Sequence, residues 1–191
     1  MEKIFFKPWI GKYYEKGIHG KRILILGESH YDCYEETSTI ECINIQLKGK
    51  ETWRFFTNIT ITFLNKHPSL EDKYNFWHSV GFYNYIQESV GDGPRERPTK
   101  EMWDNAQSGF KELLQIYKPQ AVIVLGYQLW ENLPPEEIQG PFIEFSEQKE
   151  TAIYQIDAGS QALAYAILHP SSGGFSGWYW HPFVMQAIKL A

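Results

Sequence analysis

Cysteine is nearly missing from this chain: its 191 residues hold two, Cys33 and Cys42. They form neither a disulfide framework nor a Cys-x-x-Cys metal pair, and one disulfide is the most they can make. Two thiols alone cannot carry a four-thiolate iron–sulfur cluster. Basic excess is missing as well. The formal net charge is -5 and the pI about 5.7, so the overall charge leaves no footprint for non-specific nucleic-acid binding, although a local basic patch is compatible with it. No apolar run approaches the ~18 residues that cross a bilayer, and Met1 to Pro8 contains no signal-peptide core. A reduced, cytoplasmic protein without membrane association is expected. Internal repeats and low-complexity tracts are lacking too.

What the chain has in quantity is aromatic. Seven Trp, twelve Tyr and twelve Phe make up 16% of the residues, within a hydrophobic share of 43%. Most of them must be core, because a packed aromatic ring buries more area than an aliphatic side chain. Length and composition fit one domain over residues 1–191, long enough for a three-layer core. Residues 1–20, aromatic and basic and interrupted by Pro8, Gly11, Gly17 and Gly20, read as a packed N-terminal arm with room for a short helix.

Two runs, Ile23 to Leu26 before Gly27 and Ala121 to Leu125 before Gly126, are apolar on both faces, as central parallel strands are. Trp53, Phe56, Thr60, Phe63 and Leu64 recur at helical spacing, and Pro68 follows. A helical turn near 70–78 and a short strand at 81–87 are expected next. Gly91 to Pro98 reads as a flexible connection. Thr99 caps a helix bearing Trp103, Ala106, Phe110, Leu113, Leu114 and Tyr117, and Pro119 closes it. Tyr127 to Leu133 suggests a short helix. Strand-like pieces lie near 142–146, 151–157 and 162–168, and the closing helix carries Trp180, Phe183, Val184, Ala187 and Ile188. Strands alternating with amphipathic helices indicate an α/β fold, a three-layer α/β/α domain with a mainly parallel sheet of about four strands. Residues 28–50 read as polar loop.

Ligands of such sheets sit beyond the carboxyl ends of the strands. Two polar stretches start there: Gly27-Glu28-Ser29-His30-Tyr31-Asp32, and His169-Pro170-Ser171-Ser172-Gly173-Gly174-Phe175-Ser176. In the second, a His at a rigid strand end is followed by small residues whose backbone can approach a ligand closely.

These stretches, with Gly81-Phe82-Tyr83-Asn84 between them, resemble the motifs of the uracil-DNA glycosylase superfamily, over residues from about 21 to the end. The resemblance implies that fold, and excision of a uracil or related damaged base flipped out of DNA. It implies that His169 stabilises charge developing on the base carbonyl. Tyr31 would exclude a thymine methyl, and Asn84 would read the pyrimidine edge. Ser171, Ser172, Gly173, Gly174 and Phe175 would press the minor groove, Phe175 as an apolar wedge. Ser29 stands where relatives commonly carry the water-activating carboxylate or Asn. Glu28, one residue earlier, is the candidate to hold the water. No cofactor or metal is implied, DNA is the implied partner, and a monomer is expected.

Plainer readings stand beside these. His169 suits a structural hydrogen bond, Glu28 a solvated loop, and Asn84 a turn or cap. Phe175 can pack on Trp178 or Trp180. Arg95, Arg97 and Lys100 fit an exposed linker as well as phosphate contacts. Two further function classes follow. In one, the fold is kept and binds nucleic acid or a nucleobase-like ligand without cleavage. In the other, Glu28, His30 and Asp32 alternate along an extended segment and join His169 as ligands of a metal-assisted hydrolase.

Overall fold

The computed structural model describes residues 4–49, 51, 53–91, 93, 96–135 and 138–191. Arg95 and part of the connection around it lie outside the described residues, as do the first three positions of the N-terminal arm. In chain order the elements are β1 (Trp9–Ile10), β2 (Ile23–Gly27), α1 (Ser38–Leu47), α2 (Arg54–Leu64), α3 (Leu70–Trp77) and β3 (Gly81–Asn84). Then follow α4 (Lys100–Tyr117), β4 (Ala121–Leu125), α5 (Tyr127–Glu131), β5 (Ile138–Gln139), β6 (Ile143–Glu144) and β7 (Gln148–Lys149). β8 (Ala152–Asp157), β9 (Ser160–Ile167) and α6 (Gly177–Leu190) complete the fold.

The main sheet has seven strands in the order β1-β3-β2-β4-β9-β8-β5, and β6 pairs with β7 separately. The expected sheet of about four strands is therefore too small. Its middle is nonetheless parallel: β2 pairs in parallel with β3 and β4, and β4 with β9. β1, β8 and β5 add antiparallel edges. The missed edge strands β1 and β5 are two residues each, too short for any period to show.

Alternation along the parallel strands explains the layers. Ile23 and Ile25 of β2, Ile123 of β4 and Tyr165 and Ile167 of β9 enter one core, together with Phe56, Ile59 and Phe63 of α2 and Phe183, Val184 and Ala187 of α6. Leu24, Leu26, Val122, Val124, Ala164 and Ala166 enter the other, against Trp103, Ala106, Phe110, Leu113 and Leu114 of α4. Helices thus cover both faces. Thr99 caps α4, its hydroxyl accepting from the Met102 amide at 3.2 Å.

Two local expectations are corrected. No helix occurs in residues 4–20, where the arm instead supplies β1 to the sheet edge. Residues 38–47, read as loop, form α1. Its buried face consists of Ser38, Thr39, Ile43 and Gln46, mostly polar, so it carries no apolar stripe to betray a helix.

Candidate functional site

The four parallel strands end on one edge of the sheet. β2 hands over to Glu28, β3 ends in Asn84, β4 leads into Gly126, and β9 into His169. The chain leaves β2 for β3 on one side and later returns to β4 on the other, so the carboxyl end of β2 is the topological switch point of the sheet. A cleft of about 950 Å³ opens there. That lies within the size range of ligand pockets, and it exceeds a single nucleobase.

Glu28, Ser29, Tyr31, Asn84, His169, Ser171 and Ser172 all line this cleft. Residues proposed from three separate stretches of sequence therefore share one cavity. Gly173 and Gly174 are exposed at the tip of the last loop and do not line it. Phe175 is placed otherwise than a wedge requires: it is 7% exposed and belongs to the core beneath α2 and α6. It shares that core with Trp180, because a Phe beside a hydrophobic core gains more by burial than in water.

His169 packs its ring on Phe55, with centroids 5.4 Å apart. Its Nδ1 accepts from the Ser171 amide at 3.2 Å. A ring nitrogen that accepts carries no proton, so the neutral imidazole holds its proton on Nε2. Burial, and then the nearby Arg97 charge, lower the His169 pKa and favour this neutral form. The loop behind it is fastened to α2, where Asn58 Nδ2 donates to the Pro170 carbonyl at 2.7 Å. The Gly126 amide donates to the Ile167 carbonyl at 2.9 Å, joining the loops after β4 and β9.

Glu28 keeps only 11% of its side chain exposed, and its Oε1 lies 3.4 Å from Arg97 Nη1. Burial raises its pKa, and Arg97 works against that rise. The pair is a long contact with a largely exposed Arg97, and Glu28 lines the cleft. Ser29 Oγ is buried without a hydrogen-bond partner among the described residues. Burying a hydroxyl unpaired is costly, which makes it a group with hydrogen-bonding capacity to spare.

Asn84 and His30 form the buried polar heart of the site. Asn84 Nδ2 lies 3.0 Å from His30 Nε2, and Thr39 Oγ1 lies 2.8 Å from the same nitrogen. Burial lowers the His30 pKa to about 4, so its ring is neutral near pH 7. Asn84 pairs with Gly27 across the β2–β3 register, and its Oδ1 occupies the space that a Cβ on residue 27 would take. Gly27 is thus required by close approach.

Arg97, which the sequence offers as linker or phosphate contact, lines the cleft, and the aromatic wall of Trp53, Phe55, Phe56 and Phe82 was not anticipated. Phe55 had one available signal: it stands beside the apolar stripe of α2 rather than on it. Cys33 and Cys42 also line the cleft, but burial raises both thiol pKa values, Cys42 to about 11, so neither is a ready thiolate. The metal alternative loses its geometry. Asp32 adopts a left-handed φ of 47°, His30 turns inward to Thr39 and Asn84, and no group of three His, Cys, Asp or Glu gathers among the described residues. No helix among them is long and apolar enough to cross a membrane. In comparisons with known proteins, no protein-family model matches this chain, and no curated protein does.

Proposed function

We propose that the cleft is the active site of a DNA glycosylase, which hydrolyses the N-glycosidic bond of uracil or a related damaged base. The observation that carries this reading is His169, a neutral imidazole fixed as an Nε2–H donor in a cleft that also holds a carboxyl, a buried Asn amide and an aromatic wall. The bond between C1′ and the base nitrogen breaks, and its electron pair moves onto the base, placing negative charge on a carbonyl oxygen. Nε2–H of His169 donates to that oxygen, a preorganised stabilisation of developing charge. Water held by the Glu28 carboxylate, with the spare Ser29 hydroxyl as a second contact, adds its oxygen to C1′. Its proton passes to Glu28 and then to solvent, and the departing base anion is protonated from water. Phe55, half-buried in the wall of the cleft, supplies a face on which a flipped base stacks.

The test is base release from uracil- and hypoxanthine-containing oligonucleotides, single- and double-stranded. Release by the intact protein is expected, and His169→Ala is expected to slow it by about 10²–10³-fold, as loss of one oxyanion donor does. Glu28→Gln should slow it too, with DNA binding kept. No release from either strand form with protein in excess would overturn the reading.

A second reading, binding of a nucleobase-like ligand without cleavage, is favoured by one observation: Glu28, the one Asp or Glu lining the cleft among the described residues, is paired with Arg97. Ligand binding without turnover, unchanged by His169→Ala, would establish it.

A further inference from the structure

We propose that the cleft acts on a base in single-stranded DNA rather than in a duplex, with Trp53 and Tyr127 as platforms on which neighbouring unpaired bases stack; this rests on the reading that the cleft releases a base from DNA. Extracting a base from a duplex breaks its pair and its stacking, and proteins that open a stack frequently insert an apolar side chain into it. The loop after β9 has nothing to insert. Phe175, its one large apolar side chain, is 7% exposed and packed in the core. Ahead of it come only Ser171, Ser172, Gly173 and Gly174, and Pro170 is buried. The loop is also tied down. The Ser172 amide donates to the His169 carbonyl at 2.9 Å, the Phe175 amide to the Ser172 carbonyl at 3.1 Å, and Asn58 Nδ2 to the Pro170 carbonyl at 2.7 Å. Turning Phe175 outward would break the last turn and empty its place in the core.

Charge works in the same direction. A duplex carries twice the phosphate charge of one strand along its length. The protein meets that charge with a net -5 and with one cation in the cleft lining among the described residues, Arg97, already paired with Glu28. Exposed Asp32 stands between the cleft residues Tyr31 and Cys33, and exposed Glu35 follows. What the cleft offers a strand is aromatic. Among its lining residues Trp53 and Tyr127 are 37% and 38% exposed, so both stand where the cleft meets solvent. Both are held. The Trp53 amide donates to Gln46 Oε1 at 3.1 Å, and its ring leans on Phe56 with centroids 5.7 Å apart. Tyr127 opens α5, and Lys149 Nζ donates to its hydroxyl at 3.4 Å while lying 5.5 Å from its ring centroid. The Lys149 charge is itself paired with Glu147. A ring already fixed loses little freedom when a base stacks on it. Such stacking needs a base with an open face, which an unpaired strand provides and a duplex withholds.

The experiment uses one uracil oligonucleotide, single-stranded and annealed to its complement, with the intact protein, Trp53→Ala, Tyr127→Ala and Trp53→Phe. Base release is measured directly, and binding by fluorescence anisotropy in the His169→Ala background, where release is slow. Both side chains are exposed, so the variants are expected to fold, which circular dichroism checks. The intact protein should release uracil from the single strand at least about tenfold faster than from the duplex. Trp53→Ala and Tyr127→Ala should each weaken single-strand binding about tenfold, the worth of one stacked base. In base release that loss should raise KM and leave kcat, which a general loosening of the fold would not produce. Trp53→Phe, which keeps a ring, should regain part of it. Release from the duplex as fast as from the single strand, or single-strand binding unchanged in both alanine variants, overturns the proposal and leaves the glycosylase reading standing. Single-strand binding that depends on the two rings, in a protein that releases no base, supports the proposed platforms while removing the glycosylase reading. Neither release nor single-strand binding overturns both.

Discussion

Arg97 links the two groups on which the proposed chemistry turns. Its guanidinium restrains the upward shift of the Glu28 carboxyl and contributes to the downward shift of His169. Removing it as Arg97→Ala lets both pKa values rise. The reaction needs Glu28 ionised and His169 neutral, so activity is lost as pH falls through either value. The acid limb of the pH–rate profile should therefore move to higher pH in the variant, and less so in high salt, since Arg97 is largely exposed. A limb that stays in place would remove these roles. His30 gives a stability counterpart. Its pKa of about 4 in the fold lies below the ordinary 6.5, so the unfolded chain binds its proton first as pH falls. Stability from the neutral ring is complete above 6.5 and declines down to about 4, by about 3 kcal/mol in all. Urea unfolding at pH 7 and pH 4.5 should show a smaller difference in His30→Phe than in the intact protein. Legibility at this scale followed position. Glu28, Asn84 and His169 each stand at the end of a strand and were found there. Arg97, which reads as linker or phosphate contact, meets Glu28 from 69 positions away, and Thr39 meets His30 from nine positions away, and no sequence period marks either pairing.

Among the elements, α2 and α6 carry the loop that bears His169. They approach closely at Gly177, where a Cβ would lie 2.8 Å from Ile61 Cγ2 and 2.9 Å from the Asn58 carbonyl oxygen and the Thr62 nitrogen. Backbone cannot give way as a flexible side chain can. Gly177→Ala is expected to cost about 1–3 kcal/mol by overpacking, read as a lower midpoint of thermal or urea unfolding. Because Asn58 also holds the Pro170 carbonyl, the same change should lower activity beyond the stability loss. The long amphipathic helices and the buried strands were legible because apolar residues fall on one face or run unbroken. α1 was not, since it buries Thr39 and Gln46 for their hydrogen bonds: Thr39 meets His30, and Gln46 Oε1 accepts the Trp53 amide at 3.1 Å. The helix that pattern reading overlooks is the one that backs the site.

For the whole molecule, charge sets how DNA would be held. The net charge is -5, and Arg97 is the one Lys or Arg lining the cleft among the described residues. With one or two phosphate contacts, the logarithm of affinity for a uracil oligonucleotide should fall with the logarithm of salt at a slope no steeper than about -2. A slope several times steeper would point to a basic surface elsewhere. The order of strands has one more consequence. β9 lies between β4 and β8, inside the sheet, and it is the last strand of the main sheet to be synthesised. Until it inserts, His169 has no rigid strand end, β8 has no partner linking it to β4, and Glu28 and Asn84 stand on an unfinished sheet. The site is therefore an outcome of nearly complete folding, made from long-range pairings that form slowly. A growing chain gains its scaffold piece by piece, but its chemistry all at once.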